Sequence, residues 1–104
     1  MRLKSDNVSL QSLAPQLVLA LVICNEVYNE YDAELVITSV NDSTHSNTSL
    51  HYNGCAVDLR TRNLKDQAEK ERVAQQLVGK LNRDFDVILE SDHIHLEYQP
   101  RARS

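Results

Sequence analysis

His93-Ile94-His95-Leu96-Glu97-Tyr98 is the stretch that decides the fold. Its even positions are apolar or aromatic and its odd positions are His, His and Glu, the period of two that marks a half-buried β-strand. Ile94, Leu96 and Tyr98 then face a core, and His93 and His95 stand on the opposite face, about 6.6 Å apart along the strand. Residues 55–60 (Cys-Ala-Val-Asp-Leu-Arg) alternate in the same way. Val57 and Leu59 fall on one side, with Ala56, Asp58 and Arg60 on the other. Upstream, Gly54 lets the backbone turn tightly enough for His51 to swing back towards Asp58. Ala56 leaves room beside that carboxylate for a bound ion. Imidazole nitrogen and carboxylate oxygen are common zinc ligands, and three protein ligands plus a water is the usual arrangement at a catalytic zinc. The clusters at 51–58 and 92–95 are therefore expected to meet around one metal ion.

The remaining chain supplies a scaffold for that meeting. Residues 1–12 are a polar lead-in expected to be flexible. Pro15 suits the first turn of a helix that runs to about Tyr31. Leu17, Leu21, Cys24 and Tyr28, with Val18, Val22 and Tyr31, give it a wide apolar stripe, and it is expected to be well buried. Leu-Val-Ile-Thr within residues 34–39 reads as a strand. Residues 40–48 form a polar loop leading into Ser49 and His51, the natural wall of a substrate cleft. Asn63 is placed to cap a second helix, with Asp66 at the reciprocal position, running to about Asn82. Leu64, Ala68, Val73, Leu77 and Leu81 make its inward stripe, and Lys65, Glu69, Glu71, Arg72 and Lys80 its solvated side. Residues 86–90 are a short strand, Ser91-Asp92 a tight connection, and 99–104 a frayed tail. The order helix, strand, strand, helix, strand, strand predicts a small α+β domain with two helices on a mainly antiparallel sheet.

Composition narrows the function classes. A chain of 104 residues is one domain with one modest core. Hydrophobic content of 41% and charged content of 25% make an ordinary globular mixture. A net charge of -4 with no Lys/Arg run argues against a nucleic-acid surface. Cys24 and Cys55 are the only cysteines, too few for a disulfide framework, and suit a reducing compartment. The longest apolar run, residues 17–24, is too short to span a bilayer. Asp6 and Asn7 follow the first basic residues, Pro15 precedes the apolar run and no small-residue cleavage site follows it, which is not the plan of a signal peptide. The expectation is a cytoplasmic monomer without membrane or nucleic-acid partners. If a phage encodes it, it reaches a cell wall on lysis.

Ser49-x-His51-x-x-Gly54-x-Ala56-x-Asp58, followed by His93-x-His95, resembles the signature of the LAS-type zinc metallopeptidase superfamily. That superfamily contains D-Ala-D-Ala carboxypeptidases and dipeptidases, phage L-alanyl-D-glutamate endolysins and the zinc-bearing hedgehog domains. The match covers roughly residues 34 to 98. Five fixed residues at average usage coincide by chance in a chain of this size only on the order of once in ten thousand sequences. The resemblance implies a hedgehog/DD-peptidase-like fold and one Zn2+ per chain, held by His51, Asp58 and His95. It implies Asp92, three residues before the last ligand, as general base. His93 borders the site and bonds to the substrate or the developing oxyanion, and Ser49 and His45 are substrate-binding candidates. The implied substrate is the amide bonds of peptidoglycan stem peptides, and the activity that of a carboxypeptidase or endopeptidase.

Several alternatives stay open at this level. His93 on an adjacent odd position could be a fourth ligand, closing the coordination sphere and making the site structural. Glu90 is a rival base, Asp92 could be a plain turn residue, and Glu97 could orient a histidine from the second shell. Cys55 is expected to pack rather than react. Many relatives carry an arginine in the loop that here reads Val40-Asn41-Asp42-Ser43-Thr44-His45. His45, Arg60 or Arg62 are its possible replacements. Without a replacement, the second hypothesis is a catalytically inactive zinc-binding interaction module of the same fold.

Overall fold

A computed structural model describes residues 1–5, 8, 13–41 and 56–99. In chain order these form β1 (Arg2–Leu3), α1 (Pro15–Glu30), β2 (Val36–Asn41), β3 (Ala56–Arg60), α2 (Gln67–Lys80), β4 (Phe85–Leu89) and β5 (His93–Tyr98). The strands build one sheet in the order β1-β2-β3-β5-β4. Among the described strands β1 and β2 run parallel and the other pairings are antiparallel. The expected α+β class, two helices on a mainly antiparallel sheet, is the observed one. An added short strand lies in the lead-in, where Arg2 N–H donates to Leu35 O at 2.8 Å and Lys4 N–H to Ile37 O at 2.9 Å.

The sheet has one covered and one open face, as its alternation dictates. Ile37, Val57, Leu59, Ile94 and Leu96 are fully buried and share a core with Leu17, Leu21, Cys24, Val27 and Tyr28 of α1 and Val73 and Leu77 of α2. Asp58, Arg60, His93, His95 and Glu97 alternate with these residues and keep partial access to water. The Tyr28 hydroxyl, buried to its end, donates to Arg60 O at 2.8 Å and ties α1 to the end of β3. Burial pushes the Cys24 thiol up to about 12, so it is packing rather than chemistry.

In three places the elements differ from expectation. Val18 and Val22, expected inside, are 40% and 50% exposed, beside Leu19 at 68%. Nearly the whole circumference of α1 is apolar, so its sequence carries little phase information; the sheet and α2 bury one side of it. The N-cap of α2 is Asp66, not Asn63: the Asp66 carboxylate accepts from Glu69 N–H at 2.8 Å. The Asn63 amide instead donates to Glu34 O. Starting the helix there sends the inward row through Glu69, Val73, Leu77 and Leu81, spaced by four, so Glu69 is buried and Ala68 exposed. Finally, β2 carries a bulge at Thr38: Ile37 pairs with Leu59 but Ser39 pairs with Asp58.

Among the described residues no helix is long and apolar enough to cross a membrane. Two substitutions test the assignment of covered and exposed faces. Leu96→Ala should cost about 2–5 kcal/mol of unfolding free energy in urea titrations. Val22→Ser should stay within about 0.5 kcal/mol of wild type; a loss as large as that of Leu96→Ala would mean α1 is turned the other way.

Candidate functional site

The open face gathers the polar residues through strand register. Asp58 on β3 lies directly opposite His95 on β5, and Arg60 opposite His93. Directly opposed residues of an antiparallel pair hold their Cβ atoms about 4.5–5.5 Å apart, close enough for side chains to bond. They do: His95 Nδ1 and Asp58 Oδ1 are 3.0 Å apart. His93 Nε2 lies 3.7 Å from the same oxygen. The other carboxylate oxygen of Asp58 accepts from Ser39 Oγ at 2.7 Å. That bond depends on the bulge, because without the extra residue Thr38 would stand opposite Asp58. Thr38 Oγ1 donates instead to Asp58 O at 3.3 Å.

Both histidines are held from behind. His95 Nε2 is 2.9 Å from Glu97 Oε1, and Gln99 Nε2 donates to the second Glu97 oxygen. His93 Nδ1 is 2.7 Å from Asp92 Oδ1. The result is a continuous line of partners, Ser39 to Asp58 to His95 to Glu97. Asp58, His95 and Glu97 keep only 20–24% of their side-chain surface exposed, whereas Asp92 keeps 84%. Glu90 is on the far side of the Ser91-Asp92 turn, its N–H donating to His93 O at 2.8 Å.

These contacts set the charges. Partial burial would raise the Asp58 carboxyl, but the bonds from Ser39 and His95, with the charge of both histidines, outweigh it and leave it below the usual carboxylate range. For His95 burial works downward, while Glu97 and Asp58 work upward and win, so its imidazole is more basic than an ordinary histidine. The bond from His93 holds the Asp92 carboxyl low as well. The His95 imidazole, more basic than usual, lies between the side-chain carboxyls of Asp58 and Glu97.

Two of these side chains have the donor chemistry of metal ligands. Ligand atoms on a tetrahedral zinc with bonds of about 2.0–2.1 Å sit roughly 3.3 Å apart. Asp58 Oδ1 and His95 Nδ1 at 3.0 Å are near that separation. Glu97 on the remote nitrogen of His95 has the position of the carboxylates that orient metal-bound histidines and fix their tautomer. Among the described residues no group of three or more His, Cys, Asp or Glu side chains is disposed to hold a metal ion. The described donors fit two coordination positions. The third expected ligand, His51, lies outside the described residues, as do His45, Ser49 and Cys55.

Ser39 is the site residue that sequence reasoning passed over. It stood at the end of an expected strand, and nothing local marks the bulge that turns it towards Asp58. Arg60 and Arg62, considered as substitutes for a missing loop arginine, border an open hollow with Lys4, Thr38 and Asp92. Comparison of the chain with protein-family models and with curated proteins found no match.

Removing the Ser39 hydroxyl tests the electrostatic account. In metal-free Ser39→Ala the Asp58 pKa should rise, as read by carboxyl-carbon NMR. A depressed carboxyl stabilises the fold above its unfolded pKa and loses that contribution as pH falls through the folded value. The variant should therefore be about 1 kcal/mol less stable at neutral pH and match wild type in strong acid. An unmoved Asp58 titration would show that Ser39 is incidental.

Proposed function

We propose that this chain is a zinc-dependent peptidase that hydrolyses amide bonds of peptidoglycan stem peptides. The observation carrying the reading is the facing pair Asp58 and His95, 37 residues apart in sequence, with Oδ1 and Nδ1 3.0 Å apart on the open face of the sheet. Asp58, His95 and His51 would hold the metal, a donor set of one carboxylate and two imidazoles that is ordinary for zinc. The substrate class comes from the resemblance of the Ser49–Asp58 and His93–His95 motifs to LAS-type peptidases. The same reading makes the protein a cytoplasmic monomer that meets peptidoglycan when a cell is lysed.

Zinc held in this way supplies a water acidified towards pKa about 7 and a polarised carbonyl. The residues of the chain do the rest. Asp92, ionised and open to solvent, takes the proton from the attacking water as the new C–O bond forms. It delivers that proton to the leaving nitrogen as the C–N bond breaks, so the water is divided between the two products. His93, fixed by Asp92 at Nδ1, directs Nε2 towards the cluster, where it can donate to the oxyanion of the tetrahedral stage. Glu97 keeps a proton on Nε2 of His95 and so leaves Nδ1 free as a ligand.

A second reading is a zinc-bound interaction module without hydrolytic activity. It is favoured by the absence of an arginine from residues 40–45. Elemental analysis and muropeptide digestion separate the two. Purified protein should carry about one zinc per chain, lost in His51→Ala and Asp58→Ala. Asp92→Ala should retain zinc and lose about 10²–10⁴-fold in amide cleavage, followed by mass spectrometry of defined muropeptides. Zinc retention with no cleavage of any stem peptide by the wild type would leave the binding module. Protein that takes up no zinc would end both readings. A dead Glu90→Gln beside an active Asp92→Asn would transfer the base role to Glu90.

A further inference from the structure

We infer that the open hollow beside the His/Asp cluster is a carboxylate-binding subsite, built by Lys4, Arg60 and Arg62. It takes the free C-terminal carboxylate of a peptide whose last amide bond lies over Asp58. The peptide part of this inference rests on the peptidase reading above; the anion site rests on the hollow itself.

The hollow has a volume of about 350 Å³ and is lined by Lys4, Thr38, Arg60, Arg62 and Asp92. Three cations thus face one carboxylate, in a chain whose net charge is -4. The Asp92 carboxylate is already engaged by His93 at 2.7 Å. None of Lys4, Arg60 and Arg62 has an ion-pair partner among the described residues, whereas Arg2, two positions before Lys4, is paired with Glu34 at 3.1 Å. Two distant parts of the chain are needed to assemble the three cations. The parallel pairing of β1 to β2 carries Lys4 to the level of Thr38, and β3 ends at Arg60. Like charges converging on a concavity repel one another and raise the local concentration of anions. Guanidinium groups in particular match the two oxygens of a carboxylate.

The location decides which carboxylate. Arg60 is two residues from Asp58 on the same strand face, about 6.6 Å along β3. An extended peptide covers that distance in its last residue or two, so a chain that ends in the hollow can lay its final amide bond over the cluster. The subsite therefore selects exopeptidase substrates, and it supplies from β3 and β1 the positive charge that residues 40–45 lack.

The test uses the full-length chain, with and without added zinc, and three probes: acetyl-D-alanine, its C-terminal amide, and inorganic phosphate. Acetyl-D-alanine should shift the backbone amide signals of Lys4, Thr38, Arg60 and Arg62 and bind at least about tenfold more tightly than the amide. Arg60→Gln and Arg62→Gln should each remove most of that preference, and Asp92→Asn should preserve or strengthen it. The preference should survive chelation of zinc, because no lining residue is a proposed ligand. Equal binding of acid and amide, or no change in either arginine variant, would overturn the subsite. Phosphate binding here with acetyl-D-alanine excluded would likewise overturn the carboxylate assignment. A protein that takes up no zinc when it is supplied, yet keeps the preference, would retain the subsite and lose the peptidase reading. A zinc-loaded protein that cleaves acid and amide peptides equally would do the reverse.

Discussion

The register between β3 and β5 is the constraint on which the rest of the molecule depends. Side chains alternate with a period of two, so sliding one strand by a single residue would exchange its two faces. Val57, Leu59, Ile94 and Leu96 are fully buried in the observed register. Exposing any one of them forfeits roughly 1.5–3 kcal/mol, and the slip would also push a carboxylate or an imidazole into an apolar interior, where an unpaired charge costs several kcal/mol more. The core therefore enforces the meeting of Asp58 with His95 although neither contributes to it. The rigidity of the covered face becomes positional accuracy on the open one.

On the open face the polar residues stabilise one another without a buried unpaired charge. Asp58 is ionised because Ser39 and the histidines favour its anion, and His95 gains basicity from the carboxylates at its two nitrogens. Each partner thus deepens the field at the other. In the proposed zinc-bound form, a cation replaces the proton on the Asp58 side of His95 while Glu97 keeps the other side. The surrounding hydrogen bonds need not be rebuilt. Preorganisation of this kind, in residues held by strands instead of loops, is what a precise metal centre requires.

The bulge at Thr38 and the short β1 extend this arrangement towards the edge of the sheet. One extra residue in β2 brings Ser39 to Asp58 and leaves Thr38 at the rim of the neighbouring hollow. Pairing β1 alongside β2 then adds Lys4 to the same rim. The carboxyls of the cluster and the positive charge at the hollow sit side by side, about two residues apart along β3. The proposed peptidase uses that polarity to align a chain end with the reactive centre.

The sequence alone determined the local periods, and through them most of the fold. Strict alternation in 93–98 and 56–60 identified two strands and the face each would bury, and Pro15 marked the start of α1. It also indicated Asp58 and His95 as partners, though only the resemblance to a peptidase signature linked them across the intervening helix. Where a pattern had no contrast it could not decide: α1 is apolar on nearly every side, so Val18 and Val22 looked like core residues. Asn63 and Asp66 are equally good caps by composition, and the choice between them followed from the use of the Asn63 amide on Glu34. The pairing of Arg2–Leu3 with β2, the bulge and the convergence of Lys4, Arg60 and Arg62 came only with the tertiary structure. A residue's period is written in its immediate neighbours, but hydrogen-bond partners on another strand are chosen by the burial of the whole core.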